Sequence, residues 1–136
     1  MVRKLSIKSL LDLKVEAAVN PSEDQHKVID AIGNVIPHFL LEVSYRSRIV
    51  GKATGSESLA TIFEQVRSRA AMGVLRRILL DNRAGDSTWF LLNKQAASVG
   101  IAVFIEDDQE SPLGPIRVTI RCEELDTVID WLVPKR

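Results

Sequence analysis

The hydrophobic period of this chain changes from two to between three and four and back again, and that change limits its folds more than any other feature. From Leu11 to Val19 the apolar residues Leu11, Leu13, Val15, Ala17 and Val19 share one parity, and Asp12, Lys14 and Glu16 share the other. Strict alternation of this kind belongs to a strand with one face buried. From Ser56 the spacing lengthens. Leu59, Ile62, Phe63 and Val66, then Ala70, Val74, Leu75, Ile78 and Leu79, recur every three or four residues. That is the stripe of one long helix or two consecutive ones, with Gly73 as a weak point and Gly85 beyond the end.

Between these regions "NPSED" reads as a helix start, with Asn20 as cap, Pro21 in the first turn and Glu23 completing a capping box. Val28, Ala31 and Ile32 form a short apolar stripe that Gly33 is expected to end. Phe39, Leu41, Val43 and Tyr45 alternate again, and Arg48–Thr54 is expected to pair with them as a hairpin. Further strands are predicted at Thr88–Leu92, Ile101–Glu106 and Ile116–Cys122, with "DDQESPLGP" as a solvated loop between the last two. Glu123–Leu132 is predicted as a closing helix. The order suggests an α+β protein with a mostly antiparallel sheet and its helices packed on one side. On that reading Leu11, Val15, Phe39, Val43, Val118 and Ile120 lie buried on one face of a single sheet.

The chain has 136 residues, enough for one domain with a real core. Residues 1–9 are expected to form a flexible basic N-terminal segment. Asp12 and Lys14 interrupt the apolar stretch of the start, so a signal peptide is not expected. No apolar run reaches the roughly 18 residues of a membrane span. One cysteine, Cys122, excludes an internal disulfide framework and suits a reducing, cytoplasmic setting; its strand parity makes it a core residue.

Catalytic and metal-binding readings find little support. "LLNKQ" resembles the guanine-reading loop of a GTPase, but Ala96 stands where an Asp would pair with the base. "RIVGKATG" has Arg46 and Ala53 where a phosphate loop needs Gly and Ser or Thr. His26, His38 and Cys122 match no ligand spacing, and the acids Glu106, Asp107, Asp108 and Glu110 lack the fixed spacing of a cation loop. No Ser, Cys or His stands in a nucleophile motif. No catalytic residue, metal or cofactor is therefore assigned.

Charge is more informative. Eighteen Lys and Arg balance eighteen Asp and Glu, yet the signs are segregated. Arg67, Arg69, Arg76, Arg77 and Arg83 cluster in the helical region, Arg46, Arg48 and Lys52 lie on the hairpin, and acids gather in 106–110 and 123–130. Arg69, Arg76 and Arg83 are seven residues apart, which is expected to set them on one helix face about 10 Å from each other. Such a row can track phosphates; the alternative is a solvated face with local ion pairs. Asn93 is expected to cap a short helix, Lys94–Val99. Lys94 would then stand where the helix dipole disfavours a cation, which suggests an external anion such as a phosphate; the alternative is pairing with a neighbouring acid.

Three blocks, "VNPSEDQHKV", "LLNKQAASVG" and "GPIRVTIRCEELDTVIDWLVP", resemble the hallmark blocks of uncharacterised protein family 0201, small archaeal proteins predicted to bind RNA and linked by genome context to the exosome. The resemblance spans Lys14–Pro134. It implies a fold similar to ribosomal protein L5 and a non-enzymatic RNA-binding role, with exosome or other RNA-processing proteins as partners. The RNA contacts expected on this reading are Asn93, Lys94, Gln95, Arg67, Arg69, Arg76, Arg77 and Arg83. The alternative is a protein–protein module, or a homodimer formed through a sheet edge.

Overall fold

The computed structural model describes residues 3–45 and 47–135. Six strands form one fully antiparallel sheet: β1 (Asp12–Ala18), β2 (Leu40–Tyr45), β3 (Arg48–Thr54), β4 (Ser87–Asn93), β5 (Phe104–Ile105) and β6 (Pro115–Arg121). Their spatial order is β2-β3-β1-β6-β4-β5. Five helices complete the fold: α1 (Gln25–Val35), α2 (Ala60–Ser68), α3 (Met72–Asp81), α4 (Lys94–Ser98) and α5 (Leu125–Leu132).

Alternation sets the two faces. Leu13, Val15 and Ala17 of β1, Ile116, Val118 and Ile120 of β6, and Ile49 and Ala53 of β3 point to the core. Register aligns Gly51, Val15, Val118 and Phe90 in one row across four strands. On this face pack Ile32 and Val35 of α1, Ile62 and Val66 of α2, Leu75 and Leu79 of α3, and Val128 and Leu132 of α5. Each buried aliphatic of this size contributes about 1.5–3 kcal/mol. Gly51 is required where it stands, because a Cβ there would collide with the Phe39 ring and the Leu40 carbonyl. Cys122 is a core residue, as its parity implied.

Several expectations are corrected. Leu11, Val15, Val118 and Ile120 are buried together, but Phe39 and Val43 are only half-buried. Phe39 precedes β2, the sheet's edge strand that carries Val43, and a bulge between Leu41 and Val43 breaks its alternation. Helix α1 starts at Gln25, with the Asp24 carboxylate accepting from the His26 amide at 2.9 Å. Asn20 is not its cap; the Asn20 amide instead donates to the Glu23 carboxylate at 2.9 Å. The helix also runs through Gly33 to Val35. The helical stripe is two consecutive helices, one of the two readings, but the break falls before Gly73, where Ala70 adopts a left-handed backbone (φ 53°) and the Ala71 amide closes back on the Val66 carbonyl at 2.8 Å.

Residues 3–9 of the N-terminal segment make contacts with the body. The Trp131 indole donates to the Arg3 carbonyl at 2.5 Å, and one Glu124 oxygen accepts from the Lys8 and Ser9 amides and the Ser9 hydroxyl at 2.7–2.8 Å. The Ser9 and Lys8 amides hold the Glu124 carboxyl below its ordinary range. Leu5 and Ile7 pack against the core.

Candidate nucleic-acid interface

Two regions bear on function: the meeting point of the sequence blocks, and the sheet face left bare by the helices. At the first, Asn93 ends β4 and caps α4 as expected, its side-chain oxygen accepting from the Ala96 amide at 2.9 Å. Lys94 follows, but its side chain turns inward and is only 4% exposed. Its ammonium donates to the Ala18 carbonyl at 2.7 Å, the Leu113 carbonyl at 2.6 Å and a Glu23 carboxylate oxygen at 2.9 Å. Three oxygens use the three donors of an ammonium.

The same Glu23 oxygen accepts from the Asn20 side-chain amide at 2.7 Å, and that amide also donates to the Leu113 carbonyl at 2.7 Å. Burial alone would raise the Glu23 carboxyl; the Asn20 amide and the Lys94 ammonium outweigh it and hold the group below its ordinary range. The NPSED block, the NKQAA block and the loop leading to Gly114 thus close on one ion pair. The anion beside Lys94 in the structure is Glu23, the pairing with a neighbouring acid that stood as the alternative to an external phosphate. Gln95 remains exposed on the rim of a cleft of about 290 Å³ that also includes Lys27 and Ser98.

The arginines of the helical region are dispersed rather than aligned. Because the helix breaks at Ala70, Arg69 is the last cap of α2, Arg76 lies within α3, and Arg83 lies past its end. Arg67 folds over the Phe63 ring and donates to the Phe63, Leu132 and Trp131 carbonyls, closing the end of α5. Arg76 pairs with Asp130 at 2.9 Å and caps the Val133 carbonyl. Arg77 pairs with Glu106 at 2.5 Å, and Arg83 pairs with Asp126. Of the five, Arg67 and Arg69 have no ion pair among the described residues.

The bare face of the sheet gathers cations that sequence spacing did not bring together. Register places Lys52, Lys14, Thr119 and Trp89 in one row, with Arg117 and Arg121 two residues to either side of Thr119. Lys14, Arg48, Lys52 and Arg121 are each more than half exposed. Glu16 pairs with Arg48, while its contact with Lys14 (3.7 Å) and those of Lys52 with Glu42 (3.6 Å) and Arg121 with Asp86 (3.8 Å) are long. Such surface pairs contribute at most about 1 kcal/mol and leave the cations able to exchange partners.

Arg117 differs from the rest. It forms no ion pair among the described residues, and its guanidinium lies over the Trp89 ring, 4.3 Å from the centroid. Beside it a groove of about 430 Å³ is lined by Glu16, Ser47, Arg48, Pro115 and Arg117. Acids collect at the other end of the strands, where Asp12, Asp86 and Glu123 surround Arg121. The period-two parity of β6 was the available signal for Arg117, Thr119 and Arg121 sharing a face. Among the described residues no group of three His, Cys, Asp or Glu is placed to hold a metal ion, and no helix is long and apolar enough to cross a membrane.

A family model described as RNA binding matches residues 12–122. A UPF0201 protein of Sulfurisphaera tokodaii is 39% identical over 124 residues, covering 89% of this chain and 86% of the relative. The chain belongs to this family. A second UPF0201 protein, from Thermococcus onnurineus, is 34% identical over 127 residues, covering 91% of this chain and 92% of its own length. The solved UPF0201 structure from Methanococcus jannaschii superposes with a TM-score of 0.78 at 30% identity, over 92% of this chain and 94% of that one. A DUF54 protein of Methanothermobacter thermautotrophicus, 19% identical with a TM-score of 0.63 over 92% of this chain and 99% of its own, shares the fold. In this chain the first two sequence blocks meet at the Lys94–Glu23 pair.

Proposed function

We propose that this protein binds RNA without catalysing a reaction on it, and that it holds the RNA backbone on the bare face of its sheet. The observation that carries this reading is the set of solvent-facing cations Lys14, Arg48, Lys52 and Arg117, spread over three adjacent strands. A flat sheet presents them at strand spacings of about 5 Å, close enough together to meet successive phosphates. Arg69, Arg77 and Gln95, exposed elsewhere on the surface, are secondary contacts on this reading, whereas Arg67, Arg76, Lys94 and Asn93 serve the fold. Family resemblance extends the role to archaeal RNA processing in the cytoplasm, alongside the exosome.

Titration of a structured RNA at increasing salt tests the proposal. Four or five phosphate contacts give a log–log slope of about −4. A flat salt dependence, or no binding at about 50 mM salt, rejects it.

A second reading rests on a separate feature, the β2 edge. Leu40 and Tyr45 are each 62% exposed and Leu41 is 45% exposed on a strand with one unpaired side. Bare apolar edges invite pairing, and two copies related by a two-fold axis would bury this one. Light scattering at micromolar concentration distinguishes a monomer from that dimer.

A further inference from the structure

Residues of the bare face also fall on one diagonal, and its order is chemically specific. Tyr45 of β2 pairs in register with Arg48 of β3, and Glu16 of β1 pairs with Arg117 of β6. Arg48 is the diagonal neighbour of Glu16, and Arg117 is the diagonal neighbour of Trp89 on β4. The sequence across five strands is therefore aromatic, cation, acid, cation, aromatic. Four strand spacings separate Tyr45 from Trp89, about 19 Å. Glu16 contacts Arg48 and Lys14, and Arg117 has no carboxylate partner among the described residues.

Resting on the RNA-binding reading above, we infer that this diagonal takes single-stranded RNA, with an unpaired base stacked on the Arg117 guanidinium that already lies on Trp89. A guanidinium is planar and weakly hydrated, and it stacks on ring faces as well as pairing with phosphate. Its guanidinium carbon stands over the indole ring, 4.3 Å from the centroid, and Arg117 is exposed to solvent. The platform is thus assembled before any ligand arrives, which removes part of the ordering cost of binding. Paired bases in a duplex present no free face to such a platform, whereas unpaired bases do. The groove between Arg117 and Arg48 runs beside the stack and has room for a sugar and its phosphate. Tyr45, 62% exposed, offers a second ring at the far end. One end of the diagonal reads a base by its flat face, and the cations between hold the backbone.

Tryptophan emission gives a direct readout, since Trp131 is buried and Trp89 lies on the bare face. An oligouridylate about ten nucleotides long is titrated into the full chain and compared with a duplex of equal length at the same salt. The single strand is expected to bind about tenfold tighter than the duplex and to quench the emission, and Trp89→Phe should remove the quench. Arg117→Lys keeps the charge and loses the plane. It should weaken single-strand binding about tenfold while leaving the salt slope unchanged. If single strand and duplex bind alike and Arg117→Lys costs nothing, the stacking platform is wrong while backbone binding stands. If the wild-type protein binds neither RNA, the reading beneath fails and the inference fails with it.

Discussion

Lys94 and Arg117 are cations at the same end of the sheet, and their surroundings are opposite. Lys94 is sealed behind the start of α1 and gives all its donors to oxygens of its own chain. Arg117 stands over an indole, is exposed to solvent, and has no carboxylate partner among the described residues. The sequence drew attention to Lys94 because a first-turn lysine opposes the helix dipole. The structure resolves that conflict internally, and so the residue that appears electrostatically awkward is the one with nothing left to offer a ligand. A cation reveals its role by where its donors go. The contrast can be broken by making each residue behave like the other.

Lys94→Ala carries the largest expected effect. It strands the Glu23 carboxylate, 11% exposed, with only Asn20 for support, and leaves the Ala18 and Leu113 carbonyls without the ammonium donor. Breaking one side of a buried pair costs about 3 kcal/mol or more, a large fraction of a small domain's stability. Denaturant unfolding should show a lower midpoint, and the RNA salt slope of the folded variant should match wild type. Unchanged stability with weakened RNA binding would return Lys94 to the role of a phosphate ligand and erase the contrast with Arg117.

The Glu23 side of the same pair makes stability depend on acid. Its carboxyl is held below the ordinary range in the folded chain and reverts to an ordinary value, about 4.3, when the chain unfolds. A depressed carboxyl contributes stability that is fully present above the unfolded value and is lost as pH falls through the folded one. Glu23→Gln lacks that contribution at every pH. The stability gap between wild type and Glu23→Gln should therefore be widest above about pH 5 and close as pH drops below about 4. A gap that stays constant across this range would mean that Glu23 is not the group whose charge stabilises the knot.

What the sequence made legible follows the reach of each interaction. β1, β3, β6 and α5 were readable because parity and helical spacing are local, and Asn93 was readable as a cap because capping spans three residues. The break between α2 and α3 was not, since Ala70 adopts a left-handed backbone without the glycine that ordinarily marks one. Asn20 was read as a helix cap from its local spacing to Glu23, which does accept from its amide; the cap is Asp24, and the further bond of Glu23 to a lysine 71 residues away has no local signal. Trp89 lies within a strand that the sequence predicts, but Arg117 beside it depends on β6 lying between β1 and β4, a pairing no local pattern records. The family blocks marked where the knot would be without saying that it was a knot. The candidate interface was therefore the less legible half, because it is made by register across strands distant in the chain.

The smallest expected effect on stability belongs to the bare face, and that smallness is what distinguishes it from the knot. Lys14 and Lys52 face each other across β1 and β3, each more than half exposed, each with one long contact to a carboxylate. Like charges directly opposite on neighbouring strands destabilise a sheet slightly, so removing one relieves repulsion while losing a weak ion pair. The two effects oppose each other, and Lys52→Ala should alter unfolding free energy by less than about 0.5 kcal/mol. If the pair is there to meet phosphates, the same substitution should still reduce the magnitude of the RNA salt slope by about one, and Lys14→Ala together with it by about two. Calorimetry and the salt titration on one set of variants give both numbers. A slope that does not move while stability falls would make these lysines part of the fold, as Lys94 is, and the bare face would lose its claim to the RNA.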